Sequence, residues 1–190
     1  MAKRKLFLVV VSIMISSLGS GWALAQEGED LELRARQMEI DARSKQTLDN
    51  LLVEKEGAGS LYAQAAGYAV FRVTKAGGFL VTGAGGSGVA VNKATGDRVY
   101  MRMGSGGVGL GLGAQQYDLV IMFEDQAQFE RFMDGGWDSS ATAQAAAGQE
   151  GINLTSSFID GIAVFQITDK GLMAIADVSG TRFWVADALN

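Results

Sequence analysis

"GYAVFRVTKAGGFLVTGAGGSGVAV", Gly67 to Val91, decides the fold of this chain. Its first part alternates. Tyr68, Val70 and Arg72 face one way and Ala69, Phe71 and Val73 the other, which is the period of a strand. Its second part matches G-x-G-x-x-G at Gly83, Gly85 and Gly88, after the apolar Phe79-Leu80-Val81. A dinucleotide-binding turn needs a helix straight after the last glycine, because the helix N-terminus receives the pyrophosphate. Here Val89-Ala90-Val91 follows and then turn residues, which leaves no room for that helix. The acidic residue that holds the ribose about 20 positions further on is missing from the end of a second strand; Asp97 comes early and in turn chemistry. With 26 glycines in the chain the spacing alone carries little weight, and the nucleotide reading is rejected.

Downstream, Asn92-Lys93 and Thr95-Gly96-Asp97 carry hairpin chemistry, and "RVYMRM" returns as a strand. "YDLVIMFED" is a compact apolar strand. "DQAQFERFMDGGW" reads as a helix with Phe129, Phe132 and Met133 on one face and Gly135-Gly136 as its stop. "SSATAQAAAG" reads as a second short helix opened by Ser139 or Ser140. "DGIAVFQITDKGLMAIADV" supplies two strands around a turn at Thr168 to Gly171, and "RFWVADAL" is expected to close the chain as a short helix.

Upstream, Glu27 to Glu56 suits a helix capped by Asp30 and stopped by Gly57 and Gly59. Its apolar stripe runs Leu31, Ala35, Met38, Ala42, then Leu48, Leu51 and Leu52. The order of helix, strands, helices and hairpin predicts an α+β fold. Its sheet is mainly antiparallel and glycine-rich, with an N-terminal helix and one or two helices before a C-terminal hairpin.

A second glycine tract, "GGVGLGLGAQ", alternates Gly107, Gly109, Gly111 and Gly113 with Val108, Leu110 and Leu112. As a strand it has one aliphatic face and one bare face. Glycine inside a strand is destabilising unless something approaches the backbone closely. Either another layer of the protein or an acyl chain lies on the bare face, and internal packing is the favoured reading.

The first residues carry a secretory pattern: Lys3, Arg4 and Lys5, then the apolar Leu6 to Ile15, then Ala23-Leu24-Ala25. The apolar run is short for a membrane span. Cleavage between Ala25 and Gln26 is expected, leaving a single domain over 26–190, with a helical segment at 26–58 and a glycine-rich core at 59–190. The cleaved leader removes three positive charges and no acid, so the formal charge falls from −5 to about −8. An acidic chain lacks the basic footprint of a nucleic-acid binder, so no nucleic-acid partner is expected. With neither Cys nor His, disulfides, thiolate and imidazole metal ligands and histidine-based triads are excluded. An exported, periplasmic protein follows, and without Cys it is not a lipoprotein.

"GYAVFRVTKAGGFLVTGAGGSGVAV", "GGVGLGLGAQQYDLVIMFED" and "AVFQITDKGLMAIADVSG" together resemble the SYLF domain family, the lipid-binding domain also called Ysc-type actin-binding. The likeness runs in ordered blocks from about Leu48 to about Asp187. It implies an α+β fold and a lipid-binding role, directed in eukaryotic relatives to phosphoinositide-rich membranes and, in some, to actin. This chain departs from the family in having Arg72 where a proline is usual, and acidic sequence where some eukaryotic relatives have a basic membrane-binding extension.

For a lipid head group, "RVYMRM" places Arg98, Tyr100 and Arg102 on one strand face, with Val99, Met101 and Met103 on the core side. Guanidinium groups match phosphate or carboxylate oxygens bidentately, although an ordinary solvated face has the same look. Arg72 and Lys75 join this patch if their strands are neighbours, and Val108, Leu110 and Leu112 offer an acyl-chain seat. Asp134 and Asp138 near Trp137 read as capping or solvated acids, and Ser87 and Ser105 lack an evident base. The sequence therefore predicts a non-enzymatic protein without cofactor that binds lipid or a membrane surface of the cell envelope. The rival reading is a structural or assembly protein whose glycine-rich strands only pack or self-associate.

Overall fold

Alternation in Gly67–Val91 produces two long strands, β1 (Gly67–Gly78) and β2 (Val81–Asn92), paired antiparallel from Gly67↔Asn92 to Gly78↔Val81. No helix follows Gly88, since β2 runs straight through it. The computed structural model describes residues 2–78, 81–107, 113–135, 157–168, 171–173 and 181–190, with side chains from Gly28 onward except at 78, 81, 113 and 171–173. The chain divides into two units, Met1–Met38 and Glu39–Asn190. Helix α1 (Ala2–Glu54) supplies the described part of the first unit, where Arg36 pairs with Glu32 at 2.6 Å on the helix surface.

The second unit is built on a sheet. A turn at Asn92–Asp97, with Asn92 Oδ1 accepting from the backbone N–H of Ala94 and Gly96 at φ 80°, leads into β3 (Arg98–Gly107). There follow β4 (Gly113–Phe123), helix α3 (Gln126–Met133), β5 (Ile162–Thr168), β6 (Gly171–Met173), β7 (Thr181–Val185) and one 3-10 turn at Asp187–Leu189. Among the described residues the strands form a seven-stranded sheet in the order β6-β5-β4-β1-β2-β3-β7, antiparallel throughout. The expected α+β fold is the observed one, with β5 and β6 paired antiparallel from Gln166↔Met173 to Thr168↔Gly171 as the C-terminal hairpin.

Each face of the sheet has its own core. One face carries Ala69, Phe71, Val73, Met101, Met103, Leu119, Ile121 and Phe183 under Phe129 and Phe132 of α3. The rings of Phe71, Phe123, Phe132 and Phe183 pack with centroids 4.9 to 6.4 Å apart. Full burial of each such side chain is worth about 1.5–3 kcal/mol. Helix α3 begins where Asp125 accepts from the Gln128 N–H at 2.8 Å, and Gly135 at φ 71° follows its end. The opposite face carries Val70, Val120, Met122, Ala163 and Phe165, covered by Leu48 and Leu51 of α1 and by Leu61 of a short helix α2 (Ala58–Gln64).

Three details depart from the sequence reading. The stripe Leu31, Ala35, Met38, Ala42 is exposed, Leu31 by 63% and Met38 by 71%. The later part of the stripe, Leu48 and Leu51, is buried as expected, and Ile40, Ser44 and Thr47 are buried with it, Thr47 donating to Asp118 of β4. Gly57, at φ 90°, does break the first helix, but Gly59 lies within α2 instead of stopping α1. Of "RFWVADAL" only Asp187–Leu189 is helical, as a 3-10 turn, and the stretch up to Val185 is β7. Thr181 and Phe183 are buried while Arg182 and Trp184 are exposed, and this alternation completes the sheet along Met101–Ser105 of β3. The expected helix at 139–148 and the seat at Val108, Leu110 and Leu112 lie outside the described residues.

The glycines of β2 do different work at each position. A Cβ on Gly88 would run into the Val70 carbonyl oxygen and lie 2.7 Å from the Phe71 ring; one on Gly86 would lie 2.5 Å from the Arg72 carbonyl oxygen. At Gly83 the nearest atom is the Ser105 oxygen at 3.8 Å. Gly88→Ala is therefore expected to destabilise the fold by about 3 kcal/mol or more through overpacking. Gly83→Ala should be neutral or stabilising by up to about 1 kcal/mol, since alanine loses less entropy. Thermal melts of the two variants check this, and equal melting temperatures would refute it.

Candidate functional site

Residues paired across neighbouring strands share a face, so the sheet can be read in rows. On the face under α1, one row runs Asp118 of β4, Arg72 of β1, Ser87 of β2, Arg102 of β3 and Trp184 of β7. The row beyond it brings Gly104 opposite Arg182. Arg98 and Tyr100 lie on the same face of β3, with Tyr100 opposite Val89. Lys75 is two strands away from β3 and points to the opposite face, because it stands three positions from Arg72.

Two of the predicted basic residues are held by acids. Arg72 forms a two-pronged pair with Asp118, its Nε donating to Oδ1 and its Nη2 to Oδ2 at 3.0 Å. The buried Thr47 of α1 donates to the same Oδ2 at 2.9 Å. Arg98 Nη1 donates to Asp41 Oδ2 at 2.9 Å, and the Tyr100 hydroxyl donates to that oxygen at 3.2 Å. Burial raises the Tyr100 pKa, and the Asp41 carboxylate pushes it the same way. Burial likewise raises that of Tyr68, helped by Tyr62. Between α1 and the sheet, a cleft lined by Ile40, Arg43, Ser44, Thr47, Arg72, Ser87 and Asp118 leaves no space for a bound molecule. This polar seam orients the helix.

Arg102 and Arg182 are different. Both are exposed, and neither has a hydrogen bond or ion pair among the described residues. Between them Trp184 is 47% exposed, and its ring lies over Gly104, where a Cβ would sit 3.1 and 3.4 Å from the ring atoms. Two unpaired guanidinium groups thus flank an indole that is supported on bare backbone. Such a group can bind an anion and lie against apolar material at once. Among the described residues no group of three His, Cys, Asp or Glu is placed to hold a metal ion.

Arg182 and Trp184 are missing from the sequence-based candidates because "RFWVADAL" reads as a helix there; the alternation in "TRFWV" is the signal for the strand. Asp118 was also visible, as a lone acid in the apolar run "YDLVIMF".

Asp118→Ala should destabilise the protein by about 2–4 kcal/mol, because it strands a half-buried guanidinium and a buried threonine hydroxyl. Urea unfolding measures the loss, and a change below about 0.5 kcal/mol would show that the seam does not hold the helix.

Comparison with known proteins adds two findings. Residues 104–190 match the family model Ysc84, described as Las17-binding protein actin regulator. The match starts at the glycine-rich end of β3, later than the Leu48 at which the resemblance in blocks begins. The chain is also 38% identical over 146 residues to a protein named Beta cell expansion factor A from Aeromonas veronii. That alignment takes in 77% of this chain and 56% of the relative, so the chain spans little more than half of the relative's length. Through its C-terminal residues 104–190 the chain belongs to the SYLF, or Ysc84, family, which is known for actin and lipid binding.

Proposed function

We propose that this is an exported, non-enzymatic protein of the cell envelope whose SYLF domain binds lipid or a membrane surface. The observation that carries the reading is the half-exposed Trp184, its ring packed over Gly104 between the unpaired Arg102 and Arg182. Indole rings settle at membrane–water interfaces, and arginines near an anionic surface contribute about 1 kcal/mol each. The leader pattern at Lys3 to Ala25 supports export into the periplasm, where phosphoinositides and actin are not expected as ligands. Membership of a family known for lipid binding supports the ligand class.

The structural alternative draws on Gly86 and Gly88, which face the β1 backbone and so serve internal packing. Extraction of the purified mature protein for lipid mass spectrometry separates the readings. Stoichiometric lipid supports the first, and a lipid-free protein of defined oligomeric state supports the second.

Changing Arg102 and Arg182 together to Gln should weaken binding to vesicles of phosphatidylglycerol and phosphatidylcholine about tenfold or more, with little change in stability. Trp184→Ala should weaken binding to phosphatidylcholine vesicles as well, because it removes apolar contact instead of charge. Unaltered co-sedimentation of both variants would remove this patch from the function. Intact-mass measurement on envelope extracts should find a mature chain beginning at Gln26, and a chain retaining Trp22 would overturn the predicted cleavage.

A further inference from the structure

Asp41 holds two donors on one carboxylate oxygen. Arg98 Nη1 lies 2.9 Å from Oδ2 and the Tyr100 hydroxyl 3.2 Å from it. A guanidinium and a phenol converging on one oxygen is also the donor set that a phosphate oxygen would meet. The pair is open to water, with the Arg98 side chain 56% and the Asp41 side chain 25% exposed. Contacts of this kind are weak and exchange readily. Tyr100, by contrast, is 8% exposed, so its hydroxyl stays in place whichever anion it meets.

Position reinforces the point. Arg98, Tyr100 and Arg102 share one face of β3, and Arg102 is paired with Trp184 on the neighbouring strand. Arg98 therefore stands about 13 Å along the strand from the exposed patch, close enough for one extended anionic surface to cover both. We propose that Arg98 and Tyr100 form a second anion subsite, occupied from within the chain by the Asp41 carboxylate, which a phosphate-bearing ligand replaces. The membrane form of this proposal rests on the function proposed above; the phosphate chemistry of the subsite does not.

The test uses the full mature chain with Asp41→Asn, alone and combined with Arg98→Gln. On vesicles of phosphatidylglycerol and phosphatidylcholine, D41N should bind at least threefold more tightly than wild type, and the double variant should lose that gain. With inorganic phosphate alone, the Arg98 Nε–Hε signal in D41N should move to saturation, while wild type needs more phosphate for the same shift. A phosphate response without vesicle binding by any form would keep the subsite as a site for free phosphate and defeat the membrane reading. Wild-type vesicle binding that D41N leaves unchanged, with no phosphate response at Arg98, would overturn the subsite and leave the membrane reading standing. Should D41N fail to fold, the Asp41 carboxyl carbon signal of the wild type decides. It should move towards that of a solvated aspartate as phosphate rises, and a fixed signal overturns the proposal.

Discussion

Close approach of β1 to β2 is the constraint on which the other features depend. Where the Val70 and Arg72 carbonyl oxygens press on β2, residues 86 and 88 can carry no side chain. Phe71 fills the space that Gly88 leaves and joins the aromatic cluster with Phe132 and Phe183. Burial of that cluster anchors α3 on one face. Because side chains alternate, the same strands must then present Val70, Arg72, Val89, Tyr100 and Arg102 on the other. One crowded contact in the central hairpin thereby fixes which arginines face α1.

The second face could have been a plain apolar core, and over Val70, Val120 and Phe165 it is one. Towards the Arg72 row the interface becomes polar, with Thr47, Asp118, Asp41 and Tyr100 as its members. Burying polar groups there is tolerable only because each has a partner. The arrangement also separates the arginines by environment. Arg72 and Arg98 meet carboxylates, while Arg102 and Arg182, past the seam, meet none among the described residues. Fold and candidate site are consequences of one register.

Period-two alternation made the strands legible in the sequence, and the spacing of Phe129, Phe132 and Met133 with the glycine stop after them made α3 legible. Turn chemistry at Asn92 to Asp97 was equally direct. What misled was polarity. Apolar periodicity alone oriented the N-terminal helix by Leu31, Ala35, Met38 and Ala42, whereas the buried positions include Ser44 and Thr47. A helix held partly by hydrogen bonds to a sheet acid shows only part of its inner face, Leu48 and Leu51, in the hydrophobic pattern. The site was half legible for a similar reason. "RVYMRM" displays the face of β3, but only the pairing of β3 with β7, nearly eighty residues on, shows that Trp184 and Arg182 join Arg102 instead of Arg98.

Net charge sharpens the meaning of the patch. With a formal net charge of −5, the chain as a whole is repelled by an anionic surface, and that repulsion is largely screened beyond the Debye length, about 8 Å at physiological salt. On the proposed lipid-binding reading, attraction comes only from close contact, where Arg102 and Arg182 can reach phosphate oxygens and Trp184 can exchange water for apolar contact. Salt then acts in opposite directions on the two stages, easing the approach and weakening the contact. A protein that relied on its overall field would lose affinity steadily as salt rises; here a shallow or non-monotonic dependence follows from the geometry. The Asp41 carboxylate fits the same logic, because its pair with Arg98 lowers the positive field of β3, and under the subsite proposal an arriving anion competes for that guanidinium.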